Sequence, residues 1–373
     1  MKILHVITSL HTGGAETLVV NMLPRLHALG HEVGIVVFNG ERTALMERLE
    51  RECPDCKIYT LGSSYYNPWY IVRLIRIMRQ YDVVHTHNSS PQLFAAIANT
   101  LCKKKLVTTE HSTNNRKREK GGILRLIDKW MYRHCNYTVC ISKIAEKTLR
   151  KYLDNGNGDL KTTITTINNG VDVEAIHNAA AIEEMKGSRF VIVMVAGFRE
   201  AKDQDTLIKA ISKLPKEDYE LWLVGDGERR QILESLVEDL KANEQIKFLG
   251  LRTDVPNILK TADVVVMSSH WEGLSLSNIE GMSAGKPFIA SNVNGLKEVT
   301  EGYGILFPHE DTEALADVIK KLAENKAYYE EVAERCYNRA QEFDIAEMVA
   351  QYNNIYLSHA ESAEYAERNK AIE

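Results

Sequence analysis

Residues 262–286 read ADVVVMSSHWEGLSLSNIEGMSAGK. The apolar run through Met267 predicts a buried parallel strand that opens into a loop at Ser268. The spacing after Leu276 predicts a helix stopped by Gly285 and Pro287. Glu272 then sits on the loop, and Glu280, eight positions on, about one turn into the helix. Unpaired backbone N–H groups of Leu274, Ser275, Leu276 and Ser277 face whatever lies at the helix start, where the dipole favours an anion. Two carboxylates are poor phosphate ligands but good acceptors for sugar hydroxyls. This chemistry asks for phosphate and polyol in one ligand, a nucleotide sugar.

Working outward, strand-like runs precede the stretch at Phe190–Ala196, Leu221–Val224 and Ile246–Leu249, and one follows at Pro287–Ala290. Helical patterns fall between them, at Asp205–Lys213 and Arg229–Lys241 among others. The same alternation fills the first half. Strands are predicted at Lys2–Thr8, Glu32–Phe38, Lys57–Leu61, Val83–His87, Lys105–Thr109, Tyr137–Cys140 and Thr163–Ile167. Helices are predicted at Ala15–Leu29, Pro68–Gln80, Gln92–Leu101 and Lys143–Tyr152. Strand–helix alternation of this kind means α/β, doubly wound parallel sheets. The polar stretch after Val173 carries no strand pattern, so residues 176–188 are expected to link a first domain, 1–175, to a second, 189–344. Beyond Phe307 the chain reads as helix. Ligands of such folds bind past the carboxyl ends of the strands, with a cleft expected between the two domains.

Composition excludes several classes. The 373 residues are 44% apolar and 26% charged with net charge −5, ordinary for a globular protein and unsuited to nucleic acid. Positive charge is concentrated between Leu101 and Lys151, where 14 Lys/Arg face 4 Asp/Glu. The opening Met-Lys-Ile-Leu-His-Val lacks the apolar core of a signal peptide, and no run approaches the roughly 20 apolar residues of a membrane span. With six scattered cysteines, a reducing cytoplasmic setting is expected. Cys53-Pro-Asp-Cys56 precedes a strand and has no second pair at metal-binding spacing, so it reads as two incidental loop cysteines.

The other strand-to-helix loops carry the remaining candidates. Gly13-Gly14, before a helix, allows close backbone approach to an anion, or is simply a turn. His111, just past a strand end, can donate to a hydroxyl or be held within its loop. His85 and His87 share one side of a strand at metal-ligand spacing, but no completing ligand is identifiable and no metal is assigned. Arg199 and Lys202, on the first loop of the second domain, suit a diphosphate. Gly225-Asp-Gly227 resembles half a dinucleotide fingerprint, and the backbone around Gly250–Arg252 is a candidate base pocket.

In order and spacing these pieces resemble the family 4 glycosyltransferases, retaining enzymes of the GT-B fold with two Rossmann-like domains. The likeness runs from Gly13-Gly14-Ala15-Glu16 through His111, Asn169-Gly170-Val171-Asp172, Lys202 and Gly225-Asp-Gly227 to Glu272 and Glu280. It implies that Glu280 holds the ribose and Glu272 the donor sugar. The amides from Gly273 to Ser277, with Lys202 and an arginine, would take the diphosphate, and residues near Leu251 would meet the base. Gly14 would approach the donor phosphate across the cleft and His111 the transferred sugar, with Glu16 and His87 on the acceptor side. A terminal helix, 345–373, would return to the first domain. In one respect the chain departs from the pattern: the family arginine five positions before the lysine is Gly197 here, and Arg199 is expected to replace it.

The activity so implied is retaining transfer from a nucleoside diphosphate sugar, uridine by the family's habit, with no cofactor and no divalent metal. The acceptor hydroxyl would belong to a lipid-linked or polysaccharide glycan of the cell surface. An epimerase of related fold or a non-catalytic nucleotide-sugar-binding protein would show the same motifs. Residues 116–133 set an apolar stripe, Ile123, Leu124, Leu126, Ile127, Trp130 and Met131, among cations. That segment is either a core-facing helix with a basic outer face or a contact for an anionic inner membrane surface.

Overall fold

The computed structural model describes residues 1–358 apart from 12, 65, 112–121, 155–161 and 273–275. The chain forms two compact units, Met1–Gly170 together with the segment from Ile345, and Val171–Asp344.

The first unit runs β1 (Lys2–Ile7), α1 (Gly14–Ala28), β2 (Glu32–Asn39), α2 (Ala44–Glu52), β3 (Lys57–Gly62), α3 (Trp69–Met78), β4 (Val83–His87), α4 (Ser89–Cys102), β5 (Lys105–Glu110), α5 (Gly122–Arg133), β6 (Tyr137–Cys140), α6 (Lys143–Leu153) and β7 (Thr163–Thr166). The strands form one parallel sheet in the order β3-β2-β1-β4-β5-β6-β7. Buried on both faces, β1 and β2 read as near-continuous apolar runs rather than alternating ones. Ile3 and Ile7 face α1 and the last helix, while Leu4 and Val6 face the layer containing α3, α4, α5 and α6.

The second unit runs α7 (Val173–His177), β8 (Phe190–Val195), α8 (Gln204–Ile211), β9 (Tyr219–Val224), α9 (Arg230–Asp239), β10 (Ile246–Gly250), α10 (Val255–Thr261), β11 (Val264–Met267), α11 (Leu276–Ser283), β12 (Phe288–Ser291), α12 (Lys297–Thr300), β13 (Ile305–Phe307), α13 (Thr312–Glu324) and α14 (Lys326–Gln341). Its parallel order is β10-β9-β8-β11-β12-β13. The chain then returns to the first unit as α15 (Ile345–Leu357), where Tyr352 and Tyr356 are fully buried.

Strand order reverses at β1/β4 in one unit and at β8/β11 in the other. At such points neighbouring loops part and leave room for ligand. The loops after β1, β8 and β11 carry Gly13, Lys202 and Glu272, and β4 ends in His87.

Two boundaries differ from the sequence reading. The units divide at Gly170/Val171, and the stretch expected to be a linker is built into the second unit. Val173 and Ile176 are buried in its core, Ile182 and Met185 pack against it, and Ile182 N donates to Thr261 Oγ1 at 2.8 Å. These four apolar anchors are too few and too unevenly spaced to show as periodicity. The edge strand β13 was also missed, being three residues long.

Candidate active site

In the second unit, the loops after β8 and β11 are joined by their backbones. His270 N donates to Ala201 O at 2.9 Å, and Ser268 Oγ to Asp203 O at 2.7 Å. Asp203 caps α8 through Thr206 N from a left-handed conformation, φ 48°. Its burial raises the carboxyl pKa against the hydrogen bonds and His270, which lower it. The join sets Lys202 Nζ 2.5 Å from Glu272 Oε1, an oxygen that also accepts from Ser269 Oγ at 2.8 Å. The two sequence candidates are thus brought together as an ion pair.

Arg199 is exposed and, among the described residues, has no ion-pair partner. Its Nε lies 3.8 Å from where a Cβ on Gly197 would sit, so the guanidinium stem folds back over the site of the missing arginine. Arg229, which the sequence reading passed over, is committed elsewhere: one of its Nη atoms lies 2.8 Å from each carboxylate oxygen of Asp205.

Helix α11 begins at Leu276, so the first-turn amides, Leu276 and Ser277 among them, have no intrahelical partner. Gly273, Leu274 and Ser275 lie outside the described residues. Glu280 is half-buried and its carboxylate meets no hydrogen-bond partner among the described residues. Desolvation raises its pKa above the ordinary carboxylate value.

Gly225 and Gly227 turn out to serve the scaffold. A Cβ on Gly225 (φ 137°) would meet Ala196 O at 2.1 Å, and one on Gly227 would meet Phe198 O at 2.5 Å. The two loops are laced by Phe198 N to Asp226 O and Arg229 N to Phe198 O, at 3.0 and 3.1 Å. Gly225 N is itself occupied, donating to Gly250 O at 2.8 Å. These glycines let one loop press on the other beside Arg199 and Lys202. Leu251 follows Gly250 and is 80% exposed.

In the first unit, Gly13 is the N-cap of α1, and Gly14, its first helical residue, is exposed. Glu16 closes over this helix start: its Oε2 would lie 2.3 Å from a Cβ on Gly13. Burial raises the Glu16 pKa, partly offset by its own backbone N–H and by His11.

His111 does not stand alone. Its Nε2 is 3.0 Å from His87 Nδ1, and His87 Nε2 is 3.0 Å from His5 Nδ1. His85 bonds Thr109 Oγ1 at 2.8 Å and Tyr356 OH at 2.6 Å. His87 is 0% exposed, so the expected acceptor contact is corrected: it touches His111, not solvent. His5 was missed. The signal was present, since β1 pairs His5 with His85 in register, but only the strand order puts the two side by side.

Cys53 and Cys56 are buried free thiols, and burial pushes Cys56 up to about 12, which leaves no thiolate nucleophile. Of residues 116–133, those up to 121 lie outside the description. In α5, Met131 and Tyr132 are core, whereas Ile123 is 72% and Leu126 68% exposed.

Two Rossmann-like parallel-sheet units with these loops at their switch points define a glycosyltransferase of the GT-B type. Each half of the chain matches a glycosyltransferase family model, and the chain resembles the family 4 glycosyltransferases. The family model described as Glycosyltransferase Family 4 matches residues 12–175, and that for Glycosyl transferases group 1 matches 176–343. An Escherichia coli UDP-Gal:alpha-D-GlcNAc-diphosphoundecaprenol alpha-1,3-galactosyltransferase is 26% identical, covering 77% of this chain and 78% of its own. A Bacillus anthracis N-acetyl-alpha-D-glucosaminyl L-malate synthase is 24% identical over 92% and 93%. The fold is shared with Anabaena HepE, solved in complex with UDP, at TM-score 0.80 and 20% identity, over 96% of this chain and all of that one.

Proposed function

We propose that the chain transfers a sugar from a UDP-linked donor to an acceptor hydroxyl with retention at the anomeric carbon and without a divalent metal. The observation that carries this is the pairing of Lys202 with Glu272 one loop away from Glu280, a half-buried carboxylate with no hydrogen-bond partner among the described residues. Donor entry exchanges partners. Lys202 leaves Glu272 for the diphosphate, and Glu272 is freed to accept from sugar hydroxyls while Glu280 accepts from the ribose. Arg199 and the first amides of α11 complete the anion site, so the departing β-phosphate meets cations and dipoles where a metal would otherwise stand. The UDP complex of HepE supports uridine as the base. Neither glutamate is assigned as nucleophile. Retention is assigned to a front-face reaction in which the leaving phosphate takes the acceptor proton.

The proposed acceptor is a lipid-linked or polysaccharide glycan at the inner membrane face, with the enzyme cytoplasmic and peripheral. The diphosphoundecaprenol acceptor named for the Escherichia coli relative supports that class, as do the exposed Ile123, Leu124, Leu126 and Ile127 on a basic helix. No helix among the described residues is long and apolar enough to cross a membrane.

The test is a screen of nucleoside diphosphate sugars with lipid-linked acceptors in excess EDTA. Nucleoside diphosphate should appear only with acceptor and from a uridine donor, with an axial product from an axial donor. Sugar conversion without acceptor would indicate epimerisation, and activity restored by one metal would reverse the electrostatic argument. Flotation with anionic liposomes should be lost in Ile123→Ser/Leu126→Ser; flotation indifferent to those changes or to lipid charge removes the membrane contact.

A further inference from the structure

The buried histidines of the first unit are more ordered than ligand contact at His111 requires. His5, His85 and His87 are all 0% exposed, and β1, β4 and β5 bring them to one sheet face beneath α1 and α15. His85 is saturated by hydroxyls, Tyr356 on one nitrogen and Thr109 on the other, and Thr109 also bonds Tyr352 at 2.9 Å. The remaining three form an unbranched file, His5 Nδ1 to His87 Nε2 and His87 Nδ1 to His111 Nε2, both 3.0 Å. Two atoms end the file. His5 Nε2 is buried with no partner, and His111 Nδ1 has none among the described residues.

A neutral imidazole carries one proton, so each donates on one side and accepts on the other. Desolvation keeps the file neutral, with His5 lowered to about 3, His111 to about 4 and His87 well below its ordinary value. Only two proton arrangements then satisfy both hydrogen bonds. In one, every donor points toward His5, and His5 Nε2 carries a buried N–H with no acceptor. In the other, every donor points toward His111, and His5 Nε2 is a buried lone pair. Orphaned buried N–H groups are the rarer and costlier of the two.

We propose that His5 and His87 are positioning residues that hold His111 as its Nδ1–H tautomer, a fixed hydrogen-bond donor aimed at an oxygen acceptor on the ligand. His111 then cannot take a proton from the acceptor hydroxyl through Nε2, because that lone pair is occupied by His87. The part of this that names a hydroxyl of the transferred sugar as the oxygen rests on the transferase reading; the tautomer does not.

The experiment is a long-range proton–nitrogen spectrum of the full chain labelled with ¹⁵N-histidine. Wild type should show His111 protonated at Nδ1 and unprotonated at Nε2, with no change between pH 8 and 5.5. His87→Leu leaves Nε2 facing carbon, so Nδ1–H persists as the less costly form but the ring is no longer held in place, and kcat should fall about tenfold, the loss of one oriented hydrogen bond, with little change in the donor KM. His87→Gln offers both a carbonyl to His5 and an amide N–H to His111, and should keep the Nδ1–H form and return most of kcat. An Nε2–H tautomer in wild type overturns the proposal. So does a kcat that His87→Leu leaves unchanged, or one equivalent of bound zinc that His5→Leu releases. If His87→Leu does not fold, the wild-type spectrum alone decides the direction of the file. A confirmed tautomer in a protein that transfers no sugar would strike the transferase reading and leave the file intact.

Discussion

Gly227→Ala isolates the scaffold that aims the cations. A Cβ there would lie 2.5 Å from Phe198 O, 2.9 Å from its N and 3.0 Å from its C, all backbone, so no side chain can turn aside. Ordinary contact begins near 3.4 Å, and the loop carrying Phe198 must retreat by most of an ångström. Over-packing of this kind costs about 1–3 kcal/mol, and in a unit of this size each kcal/mol lowers Tm by about 2–4 °C. A fall of about 2–12 °C is expected. The same retreat moves Arg199 and Lys202, one and four positions further on. Because a misplacement of about 1 Å costs on the order of 10²-fold, kcat/KM should drop by about that factor while Tm changes only modestly. Scanning calorimetry and donor-saturation kinetics measure the two. A variant that loses stability but keeps kcat/KM would refute the claim that this glycine sets the aim of the cations.

Lys202→Ala should lower kcat/KM by about 10²-fold or more if the lysine stabilises the departing phosphate; steady-state kinetics with a saturating acceptor reads it, and a change in KM alone would assign the lysine to ground-state binding. Acid should unfold the first unit early. His5, His85, His87 and His111 have folded-state pKa values below the unfolded value of 6.5, so the unfolded chain binds more protons and stability falls as pH drops below about 6.5. Glu16, Asp203 and Glu280 act in the opposite sense, their raised values making the folded form the better proton binder. Denaturant titrations from pH 7 to 5 should therefore show falling stability with net proton uptake on unfolding, and a flat profile would contradict the buried neutral cluster.

The parallel sheets were legible because strands buried on both faces leave apolar runs such as Val264–Met267, and the loops after them inherit the site. Lys202, Glu272 and Glu280 could be picked out from residue type and spacing alone. Their pairing could not, since it depends on the backbone join at His270 and Ala201. The packing role of Gly225 and Gly227 was not legible, because a glycine that admits a neighbouring loop and one that admits a phosphate leave the same mark in sequence. His5 went unnoticed as a polar residue in an apolar strand. Its partners lie 80 and 82 positions away, and only the β1/β4 pairing makes them neighbours.

Calorimetric titration of a UDP-sugar into wild type and Glu280→Gln tests the central claim most directly, that the second unit holds a nucleoside diphosphate sugar through this carboxylate. Wild type should bind saturably in EDTA, weakening as pH falls and Glu280 takes up its proton, from a pKa raised by burial. The variant should lose at least about tenfold in affinity with an unchanged Tm, as expected when a carboxylate acceptor loses its charge and one of its two oxygens. Equal binding by the two proteins, or no binding by either, would contradict the account.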